Sequence, residues 1–284
     1  MSAAPVTATL RAMALPRLSV AIVTYRTDPA LLGRCLQSLA RSVARARDGS
    51  LLDDLDLFLI DNGPAQAPAS LESAWPAGAG VVHAKSGHGN IGYGRANNLV
   101  LGDLRSDVHI VMNPDVELDA DTIGAVLCAL REHPEVGLVA PAVFGADGKL
   151  QYLCKQYPSL WILFLRGFAP SFVRRRFQAS LDRYEMRDAL GDRFVSGIPL
   201  ASGCFMAIRT ALFRQLGGFD AHYFMYFEDY DLSLRLARGA ALAYAPEARI
   251  VHHGGNASAK GPRHVLWFAR SAWRFFSRHG WKIT

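Results

Sequence analysis

The sequence lacks any apolar run long enough to cross a membrane as a helix. The best candidate, residues 160–165, falls far short of the roughly 18 apolar residues that are needed. The first residues place Arg11 and Arg17 among alanine and leucine without an uninterrupted apolar stretch, so we expect no signal peptide. Half of the 284 residues are hydrophobic, a fifth are charged and none form repeats, which excludes disordered, collagen-like and low-complexity proteins.

Cysteine is scarce as well. The four cysteines lie far apart and form neither a Cys-x-x-Cys pair nor a cluster with histidine. In a chain of this size, that pattern predicts reduced, buried thiols in a cytosolic protein, with no disulfide framework and no zinc site. The residues are Cys35, Cys128, Cys154 and Cys204.

Lysine is also rare, with five residues, so arginine carries most of the net charge of +6. A basic surface is compatible with nucleic acid, anionic lipid or phosphorylated substrates, and the net charge does not choose among them.

Apolar strands and amphipathic helices alternate through the first 140 residues. This order predicts a mostly parallel α/β sheet with helices on both faces, which binds ligands at the carboxyl ends of its strands. The predicted strands are residues 18–25, 55–60, 80–84 and 108–112, and the predicted helices are 30–47, 95–104 and 121–133.

The second half of the chain is less regular. Residues 150–195 predict a loop-rich insert over the sheet, 201–208 and 248–251 predict strands, and a helix capped by Asp229 or Asp231 is expected to end at Arg238. No linker separates two domains. We therefore predict a flexible tail over residues 1–17, one domain over 18–258 and a C-terminal helix over 259–284.

The glycine-rich segment Gly87-His-Gly-Asn-Ile-Gly92 matches the G-x-G-x-x-G fingerprint of dinucleotide-binding proteins. That fingerprint should follow the first strand, whereas here it follows the third. An NAD-dependent oxidoreductase is therefore a minor alternative. A loop that lets the backbone approach a ligand fits the glycines better.

Acidic and histidine residues follow several predicted strands, and each group has a plain structural explanation beside the functional one. Asn113-Pro-Asp115-Val-Glu117 could hold a divalent cation or form a turn. The run Glu228-Asp-Tyr-Asp231 could supply a base with a raised pKa or cap a helix. The pair His252-His253 could reach a metal or phosphate or be structural.

Taken together and in this order, these segments resemble the family 2 glycosyltransferases of the GT-A fold, and within them the bacterial rhamnosyltransferase-like branch. The resemblance covers residues 18 to about 258. It is carried by Val20-Ala-Ile-Val-Thr-Tyr25, Ile60-Asp-Asn-Gly63, Gly89-Asn-Ile-Gly-Tyr-Gly-Arg-Ala-Asn-Asn98, Asn113-Pro-Asp-Val116, Ser202-Gly-Cys-Phe-Met-Ala-Ile-Arg209, Gly217-Gly-Phe-Asp220, Tyr223-Phe-Met-Tyr-Phe-Glu-Asp-Tyr-Asp-Leu-Ser-Leu-Arg235 and His252-His-Gly-Gly255.

The resemblance implies that residues 18–120 bind a nucleotide sugar and that residues 121–258 form the acceptor and catalytic half. Asp229 would be the catalytic base and Glu228 the second candidate. Asp115 and His252 would hold Mg²⁺ or Mn²⁺, which neutralises the diphosphate leaving group. The residues implied to bind the nucleotide sugar are Thr24, Tyr25, Asp61, Asn90, Gly92, Arg95, Asn113 and Asp115, and those implied to support the site are Asp231, His253 and Gly203.

Two residues depart from the common family pattern. Asn113 replaces the first acid of the D-x-D metal motif, as in the rhamnosyl-like branch, which implies weaker metal binding or metal held mainly by the diphosphate. Arg26 occupies a position where many relatives have asparagine, which leaves the donor preference of that loop open.

The resemblance implies an inverting, metal-assisted transfer of L-rhamnose from dTDP-L-rhamnose to a lipid-linked or oligosaccharide acceptor in surface-polysaccharide synthesis. A UDP- or GDP-sugar donor is the alternative within the fold, and a sugar-phosphate nucleotidyltransferase is the alternative from another class. A nucleic-acid binder is not expected, because acids clustered at the strand ends would repel a phosphate backbone.

The C-terminal residues 264–281 predict a basic amphipathic helix. One side carries Val265, Phe268, Ala272 and Phe276, and another carries arginines at 270, 274 and 278. The helix either lies on an anionic membrane, which would place the protein peripherally at the inner face of the cytoplasmic membrane, or packs on the core or a second subunit. The oligomeric state is left open.

Overall fold

The computed structural model describes residues 14–63, 75–254 and 261–284. Within these ranges, one ten-stranded sheet is flanked by nine helices. The strands are β1 (Leu18–Thr24), β2 (Leu55–Asp61), β3 (Val81–Lys85), β4 (Val108–Met112), β5 (Val116–Leu118), β6 (Val136–Phe144), β7 (Leu150–Gln151), β8 (Val195–Ser196), β9 (Phe205–Arg209) and β10 (Ala241–His252). The helices are α1 (Pro29–Asp48), α2 (Tyr93–Asn98), α3 (Thr122–Glu132), α4 (Leu160–Gly167), α5 (Ser171–Arg176), α6 (Gln178–Tyr184), α7 (Thr210–Gln215), α8 (Glu228–Leu236) and α9 (Pro262–His279).

The sheet has the order β3-β2-β1-β4-β9-β6-β10-β5, with β7 beside β6 and β8 beside β10. Its first half is parallel, as predicted: β1 pairs with β2 and β4, and β2 pairs with β3. The register sets Thr24 opposite Asp61 and Ile22 opposite Met112. The carboxyl ends of β1, β2 and β4 therefore meet at one edge, where the predicted site residues follow them.

The second half mixes strand directions. Strand β9 is antiparallel to both β4 and β6, and β10 runs parallel to β6 but antiparallel to the short β5. In the β10–β5 ladder His252 lies opposite Val116, which brings the histidine pair back to the edge where Asp115 lies. This pairing joins the two halves of the chain at the candidate site.

Helices cover both faces of the sheet, in agreement with the prediction. Helices α1 and α3 bury their apolar sides in one core cluster, and α2, α7 and α8 contribute to a second. Helix α1 begins as the sequence indicates, because the Asp28 side chain accepts a hydrogen bond from Ala30 N and Pro29 occupies the first turn.

Several predicted boundaries are wrong. The helix predicted over 95–104 spans Tyr93–Asn98, the strand predicted over 201–208 begins at Phe205, and the insert contains the three short helices α4 to α6. Helix α8 is preceded by Phe227 in a left-handed conformation, so neither Asp229 nor Asp231 is its cap. The tail is described only from residue 14, and Gly255 of the late motif lies outside the described residues.

The C-terminal helix exists, and most of its predicted apolar side packs inward. Phe276 is fully buried, and Phe268 and Ala272 pack against a cluster that contains Tyr223 and Phe227. This side of the helix therefore packs on the domain, which is the second of the two positions, membrane-bound or packed on protein, that the sequence left open. No helix in the described ranges is long and apolar enough to cross a membrane.

Candidate active site

Two adjacent acids open helix α8 and lie at the bottom of the candidate site. Asp229 is held by two backbone donors, since Gly203 N–H reaches Oδ2 at 2.9 Å and Tyr230 N–H reaches Oδ1 at 2.9 Å. Burial raises the pKa of Asp229, and these two hydrogen bonds oppose the shift. The carboxylate is thus fixed in position at a helix N-terminus, where negative charge is favoured.

Glu228 has the opposite environment. Its side chain is buried, and Oε2 makes no hydrogen bond with any residue that the structure describes. Burial, followed by the negative charge of Asp229, raises the pKa of Glu228 to about 8. The pair therefore carries its charge mainly on Asp229, because Asp229 accepts backbone hydrogen bonds from Gly203 and Tyr230 that favour the ionised form, whereas Glu228 is favoured in this way only by its own N–H.

The glycine-rich loop is tied to the segment that precedes these acids. Gly92 has φ of +92°, and a Cβ at this position would lie 2.4 Å from Phe224 O, so no other residue fits. Tyr93 N donates to the same carbonyl at 3.1 Å, and Tyr93 Oη donates to Gly203 O at 2.8 Å. These contacts connect the loop, Gly203 and Asp229 in one network.

Asn90 and Asn62 connect the same loop to the end of β2. Asn90 Oδ1 accepts from Asn62 Nδ2 at 3.2 Å and from Gly92 N at 3.1 Å, while Asn62 Oδ1 accepts from Ile91 N at 3.2 Å. Sequence reasoning assigned Asn90 but gave Asn62 no role. The only available signal was its place in the Asp-Asn-Gly turn after β2.

The residues predicted to hold the nucleotide lie at the ends of β1 and β2. Thr24 Oγ1 donates to Asp61 Oδ1 at 3.3 Å, and the same oxygen accepts from Gly63 N at 2.9 Å. Tyr25 follows β1 with 46% of its surface exposed, and the Arg26 guanidinium lies 5.6 Å from the ring centre. An exposed ring beside a fixed carboxylate can stack on a base and contact a ribose.

The residues predicted to hold a cation also come together. His252 Nε2 lies 3.5 Å from Asp115 Oδ1, and that oxygen is buried without a hydrogen bond from any described residue. A Cβ at Gly254 would lie 2.5 Å from Asp115 Oδ2 and 2.7 Å from His252 Nε2, so glycine leaves this space open. An oxygen without a donor, an imidazole nitrogen and a free space between them fit a divalent cation.

The cation set is small, however. Within the described ranges no three His, Cys, Asp or Glu residues lie close enough to hold a metal together. His253 pairs with Glu117 at 2.9 Å, and Arg34 also binds Glu117, so His253 does not join His252 at Asp115. A set of two protein ligands is compatible with both alternatives that the sequence left open, weaker metal binding or a metal held mainly by the diphosphate.

Asn113 and Cys204 link the cation residues to the acid pair. Asn113 N donates to Cys204 O at 2.9 Å, one residue from Gly203. Burial, with smaller contributions from the charges of Asp229 and Asp115, raises the pKa of Cys204 to about 12. The residues predicted to bind the nucleotide, the residues predicted to hold a cation and the acid pair therefore lie together at this edge of the sheet.

Sequence similarity to known proteins shows the family to which this chain belongs. The profile of the Glycosyl transferase family 2 matches residues 19–217, which is more than half of the chain. The chain belongs to glycosyltransferase family 2. It is 32% identical to the N-acetylglucosaminyl-diphospho-decaprenol L-rhamnosyltransferase of Mycobacterium tuberculosis over 93% of this chain and 86% of that protein. It is 26% identical to the rhamnosyltransferase WbbL of Escherichia coli over 67% of this chain and 72% of that protein.

Solved structures show the GT-A fold. The glycosyltransferase superposes on GalNAc-T7 with UDP, GalNAc and Mn²⁺ with a TM-score of 0.64 at 14% identity, covering 93% of this chain and 48% of that one. It superposes on the mannosyltransferase PcManGT from Pyrobaculum calidifontis, in complex with GDP-Man and Mn²⁺, with a TM-score of 0.58 at 17% identity. That match covers 93% of this chain and 64% of the mannosyltransferase, so the enzyme spans about half to two thirds of these two chains.

Two residues with predicted roles in this glycosyltransferase are engaged elsewhere. Arg95 Nε donates to Ala221 O, so its guanidinium lies against the loop before α8. Asp231 is fully buried and accepts from Arg235 Nε at 2.7 Å and His279 Nε2 at 2.8 Å. Residues two apart on a helix point to different sides, so Asp231 fastens α9 to α8 while Asp229 lines the site.

Proposed function

We propose that this glycosyltransferase transfers L-rhamnose from dTDP-L-rhamnose to a sugar carried on a polyprenyl diphosphate. The identity of the sugar is supported by the names of the two relatives, and that of the acceptor by the name of the Mycobacterium tuberculosis relative. The chemistry rests on one observation above all, the buried pair in which Asp229 is fixed by Gly203 N–H and Tyr230 N–H while Glu228 Oε2 lies buried with no hydrogen-bond donor among the described residues.

In the proposed reaction an acceptor hydroxyl attacks the anomeric carbon of the donor sugar. Asp229 takes the hydroxyl proton, the new bond forms between the acceptor oxygen and the anomeric carbon, and the bond from that carbon to the diphosphate breaks. Attack in line with the departing diphosphate inverts the anomeric carbon. Asp229 suits the role of base because two backbone donors hold its carboxylate in position. Each carboxylate oxygen keeps a second lone pair that can accept the proton.

Asp115 and His252 are the residues that would hold Mg²⁺ or Mn²⁺. A divalent cation there supplies neutralisation of the negative charge on the departing diphosphate. Gly254 keeps the space beside both side chains open, and His253 N donates to Asp115 O at 3.0 Å, which fixes the acid relative to the histidine pair.

On the nucleotide side, Tyr25 would stack on the base and Asp61 would contact the ribose. Thr24 and Gly63 donate to Asp61 Oδ1, which leaves Oδ2 for a sugar hydroxyl. The hydrogen bonds between Asn62 and Asn90 would hold the glycine-rich loop over the same nucleotide.

The test is a transfer assay with the purified enzyme and an N-acetylglucosaminyl-diphospho-lipid acceptor. The donors dTDP-rhamnose, UDP-N-acetylglucosamine and GDP-mannose are compared, each with and without Mn²⁺. We expect product with dTDP-rhamnose and stimulation by the metal. Product only with a UDP- or GDP-sugar would keep the glycosyltransferase and remove rhamnose from the proposal.

We also propose that the enzyme works at an anionic membrane. The surface that would contact the membrane is not the side of the C-terminal helix with Val265, Phe268, Ala272 and Phe276. Seven of the exposed apolar side chains lie on α4, the segment after it, α5, α9 and the residues that follow α9. Leu160 N and Trp161 N donate to Lys282 O and Ile283 O, and Trp273 contacts Trp281 at 5.0 Å between ring centres, which joins these elements. We name this the outer apolar surface, formed by Leu160, Phe164, Phe168, Phe172, Trp273, Trp281 and Ile283.

Charge favours an anionic bilayer as the occupant of this surface. The two segments that carry it, residues 159–181 and 261–284, contain nine arginines and lysines and no aspartate or glutamate. Aromatic side chains within a cationic border suit a bilayer interface of negative charge. Phe168 and Phe172 are 65% and 66% exposed, so their replacement leaves the core intact.

The membrane proposal is tested with the F168S/F172S variant in co-sedimentation with phosphatidylglycerol vesicles. We expect binding to fall at least severalfold, whereas the control V81S, which removes an exposed apolar side chain from β3, should bind like the unchanged enzyme. Equal binding by all three proteins would reject this surface.

A further inference from the structure

An open cavity of about 350 Å³ lies among helices α4, α5 and α6. Its wall contains four arginines together with Ser171 and Gln178. The arginines are Arg166, Arg174, Arg175 and Arg187. Such a density of guanidinium groups around one concave surface indicates an anionic ligand.

The positive charge of this arginine cavity is only partly compensated by the protein, since Arg187 pairs with Asp182 and Glu185. Glu185 is the one acid among the lining residues, and it already binds Lys155 at 3.2 Å and Arg187 at 2.6 Å. Arg174 and Arg175 form no ion pair with any carboxylate in the part of the chain that the structure describes. Close cations without a carboxylate repel one another, so an anion between them would relieve that repulsion.

Arg166 connects the cavity to the acid pair. Its guanidinium lies 5.4 Å from the centre of the Tyr184 ring, and Tyr184 Oη lies 3.0 Å from Tyr230 Oη. Tyr230 in turn donates its backbone N–H to Asp229. A path of direct contacts therefore leads from the cavity to the base.

The other side of the cavity borders the outer apolar surface. Phe172 precedes Arg174 on α5, and Phe168 lies just before that helix, both widely exposed. The arginine cavity thus lies between Asp229 and the outer apolar surface. A lipid-linked sugar has the matching order of sugar hydroxyl, diphosphate and hydrocarbon.

We propose that the arginine cavity binds the diphosphate of a lipid-linked acceptor. This inference rests on the proposed function, because it requires an acceptor whose sugar is linked to a diphosphate. The guanidinium groups of Arg174 and Arg175 bind the phosphate oxygens, and Arg166 positions the group nearest to Tyr184.

The experiment uses the R174Q/R175Q variant of the whole chain and the matched control R214Q/R238Q, which removes two exposed arginines outside the cavity. Two acceptors carry the same sugar, one as a farnesyl diphosphate and one as an octyl glycoside without phosphate. For R174Q/R175Q we expect KM for the diphosphate acceptor to rise by about tenfold or more. The KM of the octyl glycoside, and both values for the control, should stay within about twofold of the unchanged enzyme.

Direct binding separates this inference from the proposed function. Farnesyl diphosphate, inorganic diphosphate and phosphatidylglycerol vesicles are titrated without a divalent cation. We expect R174Q/R175Q to lose far more affinity for farnesyl diphosphate than for vesicles, because seven of the nine basic residues beside the outer apolar surface remain. Loss of vesicle binding with unchanged farnesyl diphosphate affinity would assign the cavity to membrane headgroups, and unchanged binding throughout would also overturn the inference. An enzyme that transfers no sugar yet binds farnesyl diphosphate through these arginines would refute only the proposed function.

Discussion

Replacement of Glu228 by glutamine should stabilise the enzyme relative to the unchanged protein, by an amount that grows as the pH rises. Burial and the charge of Asp229 raise the pKa of Glu228 from 4.5 to about 8, so the folded enzyme keeps a proton that the unfolded chain releases. In the unchanged enzyme, the contribution of protonated Glu228 to the free energy of unfolding is therefore fully present below pH 4.5. This contribution is lost as the pH rises toward 8. Glutamine has the shape of the protonated acid and does not titrate.

The size of the effect follows from the shift. Stability changes by about 1.4 kcal/mol per pH unit for each proton difference between the folded and unfolded states. The advantage of E228Q should thus grow with pH and reach on the order of 4 kcal/mol by pH 8. Coupling to Asp229 shares the proton between two carboxyls, which makes this figure an upper bound.

Urea unfolding at pH 5, 6, 7 and 8 measures this difference. The matched control E132Q removes an exposed glutamate at the end of α3, and its stability difference should not change with pH. A difference between E228Q and the unchanged enzyme that is constant with pH would refute the protonated state of Glu228.

Activity gives an independent reading of the same variant. If Asp229 is the base, E228Q keeps transferring sugar, and the acidic limb of its kcat/KM profile stays in place, because Glu228 already carries no charge at the pH where Asp229 takes up a proton. Loss of transfer by E228Q would instead make Glu228 the base.

Three further changes test the remaining parts of the site. D229N should lower kcat by about 10²–10⁴-fold while the affinity for dTDP, measured by calorimetry, stays near that of the unchanged enzyme; substantial residual transfer would reject Asp229 as the base. G254A places a methyl group 2.5 Å from Asp115 Oδ2, so we expect Mn²⁺-dependent dTDP binding to weaken by about tenfold with little change in Tm. Y25A should cost about 1–3 kcal/mol of dTDP binding without destabilising the fold, because this ring is 46% exposed; unchanged affinity would mean that the base does not stack there.

Local signals explain which elements could be predicted from the sequence. Strands β1, β2 and β4 are continuous apolar runs that end at turn residues, and α1 begins at an aspartate followed by proline. Strand β6 was missed because Gly137 and Pro141 interrupt its apolar pattern. Only the end of β10 was predicted, since its first part is rich in alanine and Pro246 lies near an irregularity in the β6 pairing.

The identities of the site residues came from ordered motifs, whereas their partners could not. Tyr93 contacts Gly203 across 110 positions, and Asn62 contacts Asn90 across 28, so both contacts depend on how the strands are ordered in the sheet. Asp231 shows the reverse case. Its place in the acidic run suggested a supporting role in the site, yet its partner His279 lies on a helix that the sequence treated as separate.

That helix explains how the acids are held. Tyr226 and Phe227, the two residues before Glu228, have φ of +70° and +64°, and such conformations cost about 1–3 kcal/mol each unless the surroundings enforce them. Helix α9 provides the surroundings: Tyr226 Oη lies 2.7 Å from His264 Nδ1, and Phe227 packs against aromatic rings of the same helix. Because the turn decides where α8 begins, α9, for which the sequence left both a membrane-bound and a packed position open, also positions the acid pair.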